Sequence, residues 1–232
     1  MAVLFDPVFR GMGVPPGDGR LVVVIPGLFG GDLYLEPIRN WLRRIGYMPV
    51  RSTLAINAGC PRRLRDQVQA EIARRRAGAA APIALIGHSR GGVIAWAIAA
   101  AMQDQVSHLA VLSSPLGVYR DAIARGANPA PRTPMGGMLA RASNFARRTL
   151  DPECDAPACG CAFIADVQRA LHPATALMQI VSRDDRIVPP EAARVSAGQT
   201  VEVAGGHISL VYNAEVYRAL ARFLAASDSS RA

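Results

Sequence analysis

The 232-residue chain contains no lysine, so all 26 of its basic residues are arginine. A global preference of this kind reads as compositional bias rather than as a selected grip on phosphate. The arginine clusters Arg62, Arg63, Arg65 and Arg74, Arg75, Arg76 have no interleaved aromatic platform for stacking bases, and the formal net charge of +8 therefore does not point to nucleic acid. It fits a solvated helix face, with a weak attraction to an anionic membrane surface or substrate as the alternative. No apolar run is long enough to span a bilayer. The first twenty residues carry Asp6, Pro7, Pro15 and Pro16 and lack an apolar core ending in small residues, which is not the pattern of a signal peptide. The expected location is cytoplasmic. Cysteine is sparse too, with only Cys60, Cys154, Cys159 and Cys161, and without an export signal a disulfide framework is not the first expectation.

Half of the residues are hydrophobic and 19% are charged, which excludes a disordered chain and suits a sheet buried on both faces. The length supports one sizeable core, so residues 1–232 are expected to form a single α/β domain. Leu21 to Ile25 is an unbroken β-branched and leucine run closed by Pro26-Gly27, the pattern of a central parallel strand. Further strands are expected over Tyr47 to Ser52, Pro82 to Ile86, Val106 to Ser113, Ala176 to Ser182 and Thr200 to Ala204. Between them, helical spacing appears in Leu33, Ile38, Trp41, Leu42 and Ile45, with Asp32 as the expected N-cap and Gly46 as the stop. Helices are also expected over Pro61 to Arg76, Val93 to Met102 and Asn213 to Ala225. Strands alternating with helices imply βαβ crossovers and a mostly parallel sheet with flanking helices.

The alternation breaks down between Pro115 and Ala170, where Pro129, Pro131, Pro134, Gly136 and Gly137 interrupt it. A stretch this long without core strands reads either as an inserted lid or cap or as an irregular surface excursion, and the lid, at about residues 115–170, is the favoured reading. Met135, Met138, Leu139 and Phe145 are spaced as one apolar helix face flanked by Arg132, Arg141, Arg147 and Arg148, the outline of a basic amphipathic helix.

Gly87-His88-Ser89-Arg90-Gly91-Gly92 joins the strand ending at Ile86 to the helix beginning near Val93. A serine placed at such a junction can be exposed on a sharp turn, which requires small neighbours; Gly87 and Gly91 supply them. Ser89 is thus a candidate nucleophile in need of a base, and His207, in the loop Gly205-Gly206-His207 after a strand, is the best placed of four histidines. His88 lies inside the turn and is expected to point away from Ser89; His108 falls within a strand, and His172 precedes Pro173 in a turn. The acid that would orient the base is sought after the strand Ala176 to Ser182, where Asp185 is preferred to Asp184 because it stands just before the anchoring pair Ile187-Val188. Donors for an oxyanion are expected from the backbone N–H of Arg90 and, in the loop Pro26 to Gly31, of Leu28. No Gly-Lys-Ser/Thr follows that loop, which disfavours a phosphate cradle. Phe29, Met135, Met138 and Leu139 are candidate contacts to an apolar substrate.

Together Ile25-Pro26-Gly27-Leu28-Phe29-Gly30, Gly87-His88-Ser89-Arg90-Gly91-Gly92, Asp185-Arg186-Ile187-Val188-Pro189 and Gly206-His207 resemble the α/β-hydrolase family, in particular bacterial lipase-like and esterase-like members. The resemblance runs from about Leu21 to the end and departs at Pro26, where many members carry His. It implies an α/β-hydrolase fold and Ser-His-Asp acyl chemistry, with Ser89, His207 and Asp185 as the triad. The substrate does not follow from the resemblance; the expected reaction is hydrolysis of a small-molecule or lipid ester through an acyl-enzyme, with no metal or cofactor. Thioester hydrolysis or acyl transfer by the same triad is the alternative, with a non-catalytic binding module beyond it. The cluster Cys154-x4-Cys159-x-Cys161 resembles a cysteine-bearing stretch upstream of the acid-bearing strand in some smaller lipase-like members. A disulfide, reduced thiols and a metal site all remain open there, as does the oligomeric state.

Overall fold

The structure, a computed structural model, describes residues 2–76, 81–127, 133–154 and 161–226. Six strands form one parallel sheet: β1 (Leu21–Ile25), β2 (Met48–Arg51), β3 (Ile83–His88), β4 (Val106–Leu112), β5 (Ala176–Ser182) and β6 (Gln199–Val203), in the order β2-β1-β3-β4-β5-β6. The helices are α1 (Glu36–Arg44), α2 (Pro61–Arg76), α3 (Arg90–Met102), α4 (Leu116–Ala124), α5 (Pro134–Leu150), α6 (Ala162–Gln168), α7 (Pro190–Ala193) and α8 (Ala214–Ala225).

Both faces of the sheet are covered, and the strand alternation divides the core accordingly. Val22 and Val24 of β1 and Ala84 and Ile86 of β3 point to the side closed by α1 and α8, where Trp41, Tyr217 and Leu220 are fully buried. Val23, Ile25, Ile83 and Leu85 point to the other side, against Val68 and Ile72 of α2, Ile94 and Ile98 of α3, and Phe163 of α6. This two-sided burial is why the strands are continuous apolar runs rather than alternating ones. Helix α3 lies deepest: every residue from Gly91 to Ala100 is buried, which accounts for its lack of a polar face. Trp41 Nε1 donates to the carbonyl of Val8 at 2.9 Å, and its ring meets Tyr217 edge-on at 4.8 Å, fastening the N-terminal segment to this core.

One local expectation is corrected. Asp32 does not cap a helix; it opens a short 3-10 turn, Asp32–Leu35, and its carboxylate accepts from the backbone N–H and the hydroxyl of Ser52, both at 2.9 Å. That cross-connection to the end of β2 outcompetes the local cap. Among the described residues no strand lies between β4 and β5, and Met135, Met138, Leu139 and Phe145 fall on one helix, α5. Thr133 caps α5 by accepting from Gly136 N–H at 3.0 Å, and Pro134 occupies the first helical position, where its missing N–H costs nothing. Pro129, Pro131, Arg132 and Cys159 lie outside the described residues.

The register fixes where the loops emerge. Ile25 pairs with Gly87, His88 with Leu112, Leu112 with Ile180 and Ser182 with Val203, so the strands end along one edge. The chain runs outward from β1 to β2 and then returns to start β3 on the other side of β1. The crevice beyond the carboxyl ends of β1 and β3 is therefore the topological switch point, where open α/β sheets place their ligands.

Candidate active site

Ser89 stands at that crevice. It follows β3 directly, precedes α3 and adopts φ 53°, ψ −126°, a left-handed conformation that non-glycine residues rarely take. Its N–H donates to Leu112 O and its carbonyl accepts from Gly92 N, both at 2.9 Å, so the strained turn is held from both sides. The turn is possible only without side chains around it: a Cβ on Gly87 would fall 2.4 Å from Gly91 O, and one on Gly91 would fall 2.4 Å from Ile25 O.

The loop after β1 comes up against the serine. A Cβ on Gly27 would lie 3.1 Å from Ser89 Cβ. Gly30 N–H closes a turn on Gly27 O at 3.0 Å, and Phe29 takes φ 59°. Among the described residues the N–H of Leu28 has no protein acceptor, and that of Arg90, the first of α3, falls in the turn whose amides find no intrahelical partner. The Arg90 amide adjoins Ser89 at the positive end of the α3 dipole, and that of Leu28 follows Gly27, the residue that approaches Ser89.

From the other half of the sheet, β5 and β6 deliver Asp185 and His207. Asp185 Oδ2 accepts from His207 Nδ1 at 2.6 Å, while its Oδ1 accepts from the N–H groups of Ile187 (2.8 Å) and Val188 (2.9 Å). Burial would raise this carboxyl, but the bond and charge of His207 and the two amides outweigh it and hold the pKa below the usual carboxylate range. Asp184, one residue earlier, serves the loop instead, its Oδ2 accepting from Gly205 N–H at 2.9 Å and bracing the segment that carries His207. Ser182 Oγ also bonds Gly205 O, and Asn213 Nδ2 bonds Ala204 O at 2.7 Å. No hydrogen bond joins Ser89 Oγ to His207 among the described residues.

His88 does not point away from the site. As the last residue of β3 it is buried under His207, with ring centroids 4.8 Å apart, and its Nε2 donates to His207 O at 3.0 Å. Burial, reinforced by His207, pushes its pKa down to about 3, so the ring is neutral. The Tyr34 ring lies 5.6 Å from that of His88, tilted by 58°, and its hydroxyl donates to Ile208 O at 3.2 Å. His108 and His172 lie elsewhere. His108 bonds Ser107 and Ala226 within and beside β4, and His172 accepts from Ala174 N–H.

Phe29 is 39% exposed, Met135 and Met138 present 46% and 49% of their surface to solvent, and Leu139 is half-buried. Helix α5 is pinned at its ends, by Thr133 Oγ1 to Ile187 O in the acid loop (3.2 Å) and by Asp151, which accepts from Cys60 N at 2.6 Å and pairs with Arg63. Cys60 and Cys154 are buried against each other. Among the described residues no group of three His, Cys, Asp or Glu side chains could hold a metal.

No protein-family model matches this chain, and no curated protein does. Solved structures do. A monoacylglycerol lipase from Paleococcus ferrophilus superposes with a TM-score of 0.59 over 91% of this chain and 96% of its own, at 16% identity. Est1E from Butyrivibrio proteoclasticus gives 0.57 over 92% and 93%, at 16% identity. A thermophilic esterase from Thermogutta terrifontis gives 0.56 over 90% of each chain, at 19% identity. The chain has the α/β-hydrolase fold. Within that hydrolase fold, sequence reasoning missed His88, Asn57 and the side chain of Arg90. Asn57 and Arg90 act through bonds to backbone 27 to 33 residues away, which leave no local pattern. His88 left one signal, its place inside the Ser89 pentapeptide.

Proposed function

We propose that the protein is a serine hydrolase of carboxylic esters. The observation that carries this reading is the 2.6 Å bond from Asp185 to His207 at the strand edge that also holds the strained Ser89. In the first step His207 Nε2 takes the proton from Ser89 Oγ as the oxygen attacks the ester carbonyl carbon; a side-chain rotation closes that contact. Asp185 keeps the other ring nitrogen protonated and stabilises the imidazolium. The carbonyl oxygen becomes an oxyanion between the N–H groups of Leu28 and Arg90. Collapse expels the alcohol, protonated by His207, and leaves Ser89 acylated. Water, deprotonated by the same imidazole, attacks the acyl carbon, and the acid departs with Ser89 Oγ reprotonated.

Phe29 of the oxyanion loop and the half-buried Leu139 of α5 supply apolar surface for the acyl group, whereas Met135 and Met138 are exposed on α5. Of the helices between β4 and β5, α6 packs into the core through Phe163, Ile164 and Val167, which leaves α5 as the cap in this reading. The outer face of α5 interleaves Met135, Met138 and Phe145 with Arg141 and Arg148, a composition suited to weak attraction toward an anionic lipid surface.

The direct kinetic test is turnover of p-nitrophenyl acetate, butyrate and octanoate by the parent, Ser89→Ala, Asp185→Asn and Asp184→Asn. Ser89→Ala is expected to lose at least about 1,000-fold in kcat and Asp185→Asn roughly 100- to 10,000-fold, since the amide stabilises the wrong tautomer. Asp184→Asn, which perturbs only the brace, is expected to stay within about tenfold of the parent. Equal rates for the parent and Ser89→Ala would remove the proposal.

A further inference from the structure

Three carbonyls in a row accept from one guanidinium. Arg90 Nη1 donates to Asn57 O (3.2 Å) and Ala58 O (3.3 Å), and Nη2 to Gly59 O (2.7 Å). Among the described residues no carboxylate pairs with this partly buried cation. Burial draws its pKa below arginine's usual value, so the position has an electrostatic cost that the carbonyl dipoles help to offset. Arg39 and Arg65, which are more deeply buried, have acidic partners, whereas Arg120 resembles Arg90 in being held by three backbone carbonyls, those of Val167, Gln168 and Arg169.

The segment that Arg90 grips is itself fastened to the loop after β1. Asn57 N–H donates to Gly30 O at 2.9 Å, Asn57 O accepts from Phe29 N–H at 2.9 Å, and Asn57 Nδ2 donates to Pro26 O at 2.7 Å. Asn57 Oδ1 is buried with no partner among the described residues, so the bond to Pro26 is the side chain's one polar contact. These three bonds enclose Gly27 and Leu28 and hold Phe29 in its left-handed conformation, whose cost of about 1 kcal/mol or more must be met by its surroundings.

The two amides assigned to the oxyanion come from segments 62 positions apart, Leu28 and Arg90. Arg90 supplies one amide from its backbone and reaches the other through its side chain, by way of residues 57–59 and then 26–30. We propose that the Arg90 side chain and Asn57 are positioning residues that set the spacing of the oxyanion hole before substrate arrives. This rests on the serine-hydrolase reading above.

The test uses Arg90→Met, Arg90→Lys, Asn57→Ala and the double variant Asn57→Ala/Arg90→Met, each compared with the parent and Ser89→Ala in p-nitrophenyl butyrate hydrolysis. A trifluoromethyl ketone is the second probe, because serine addition turns its carbonyl oxygen into an oxyanion that must sit in the hole. Arg90→Met and Asn57→Ala are expected to lose about 10- to 100-fold in kcat with KM within about threefold. Ketone affinity should fall by the same factor as kcat/KM. Arg90→Lys keeps the charge but not the fork and should recover part of the loss. The double variant should be no worse than about threefold beyond the weaker single, since both act on one loop. Unchanged kcat, a loss confined to KM, a loss of kcat with ketone affinity retained, or additive losses in the double variant would each overturn the positioning role. If Arg90→Met does not fold, Arg90→Lys and Asn57→Ala decide the matter alone. A parent whose turnover survives Ser89→Ala would instead bring down the serine-hydrolase reading and this inference with it, while Ser89-dependent turnover with unaffected Arg90 and Asn57 variants would bring down only the inference.

Discussion

His88 shows how one residue beside the nucleophile joins stability to the site. It is neutral and buried against His207, and its Nε2–H holds the backbone carbonyl of that residue. Its folded pKa of about 3 lies below the ordinary histidine value of 6.5. The unfolded chain therefore binds the extra proton first. Stability is full above about pH 6.5 and is lost as the pH falls from there toward 3, at about 1.4 kcal/mol per pH unit once inside the window. His88→Gln keeps an N–H where Nε2 stands but cannot titrate. Urea unfolding between pH 6.5 and 4.5, above the range where Asp185 protonates, should show a steeper loss in the parent than in this variant. Parallel curves would contradict a buried neutral imidazole at this position. A pattern of spacings does not reveal such a residue, because the turn at Ser89 redirects the chain and with it the neighbours of the last strand position.

At the scale of elements, the site depends on how closely α3 approaches β1. Gly91 makes that approach possible: a methyl group there would sit 2.4 Å from Ile25 O and 2.5 Å from Pro26 O, both rigid backbone. Gly91→Ala must push the start of α3 away from the strand, at a cost of about 1–3 kcal/mol. For a chain of this size, that lowers the calorimetric midpoint by roughly 2–4 °C per kcal/mol. An unchanged midpoint would show that the helix does not meet the strand end as described. The helical elements differ in how far local sequence determines them. Helix α2 keeps the bounds its apolar spacing gives, Pro61–Arg76. Asp32 has the residue type and position of a cap yet turns to Ser52, whereas the apolar spacing of Met135, Met138, Leu139 and Phe145 does fall on a helix, α5, started by Thr133 and Pro134.

Across the whole molecule, the architecture is legible because a sheet covered on both sides demands uninterrupted apolar strands, and β1 and β5 stand at the bounds those runs give. The strand-end loops follow from that architecture, so Ser89, Asp185 and His207 could be placed at one edge from chain order, strand position and the small residues around Ser89. What could not be read were contacts between distant backbones, such as the grip of Arg90 on residues 57–59, and the outward turn of the apolar face of α5. The central claim is that this edge makes Ser89 a nucleophile. Intact-mass spectrometry of the native protein after exposure to an alkyl fluorophosphonate tests it most directly. The expected result is one phosphonyl adduct with loss of fluoride, mapped to the peptide containing Ser89, absent from Ser89→Ala and strongly slowed in His207→Gln. An unmodified parent, or an adduct that persists in Ser89→Ala, would contradict it.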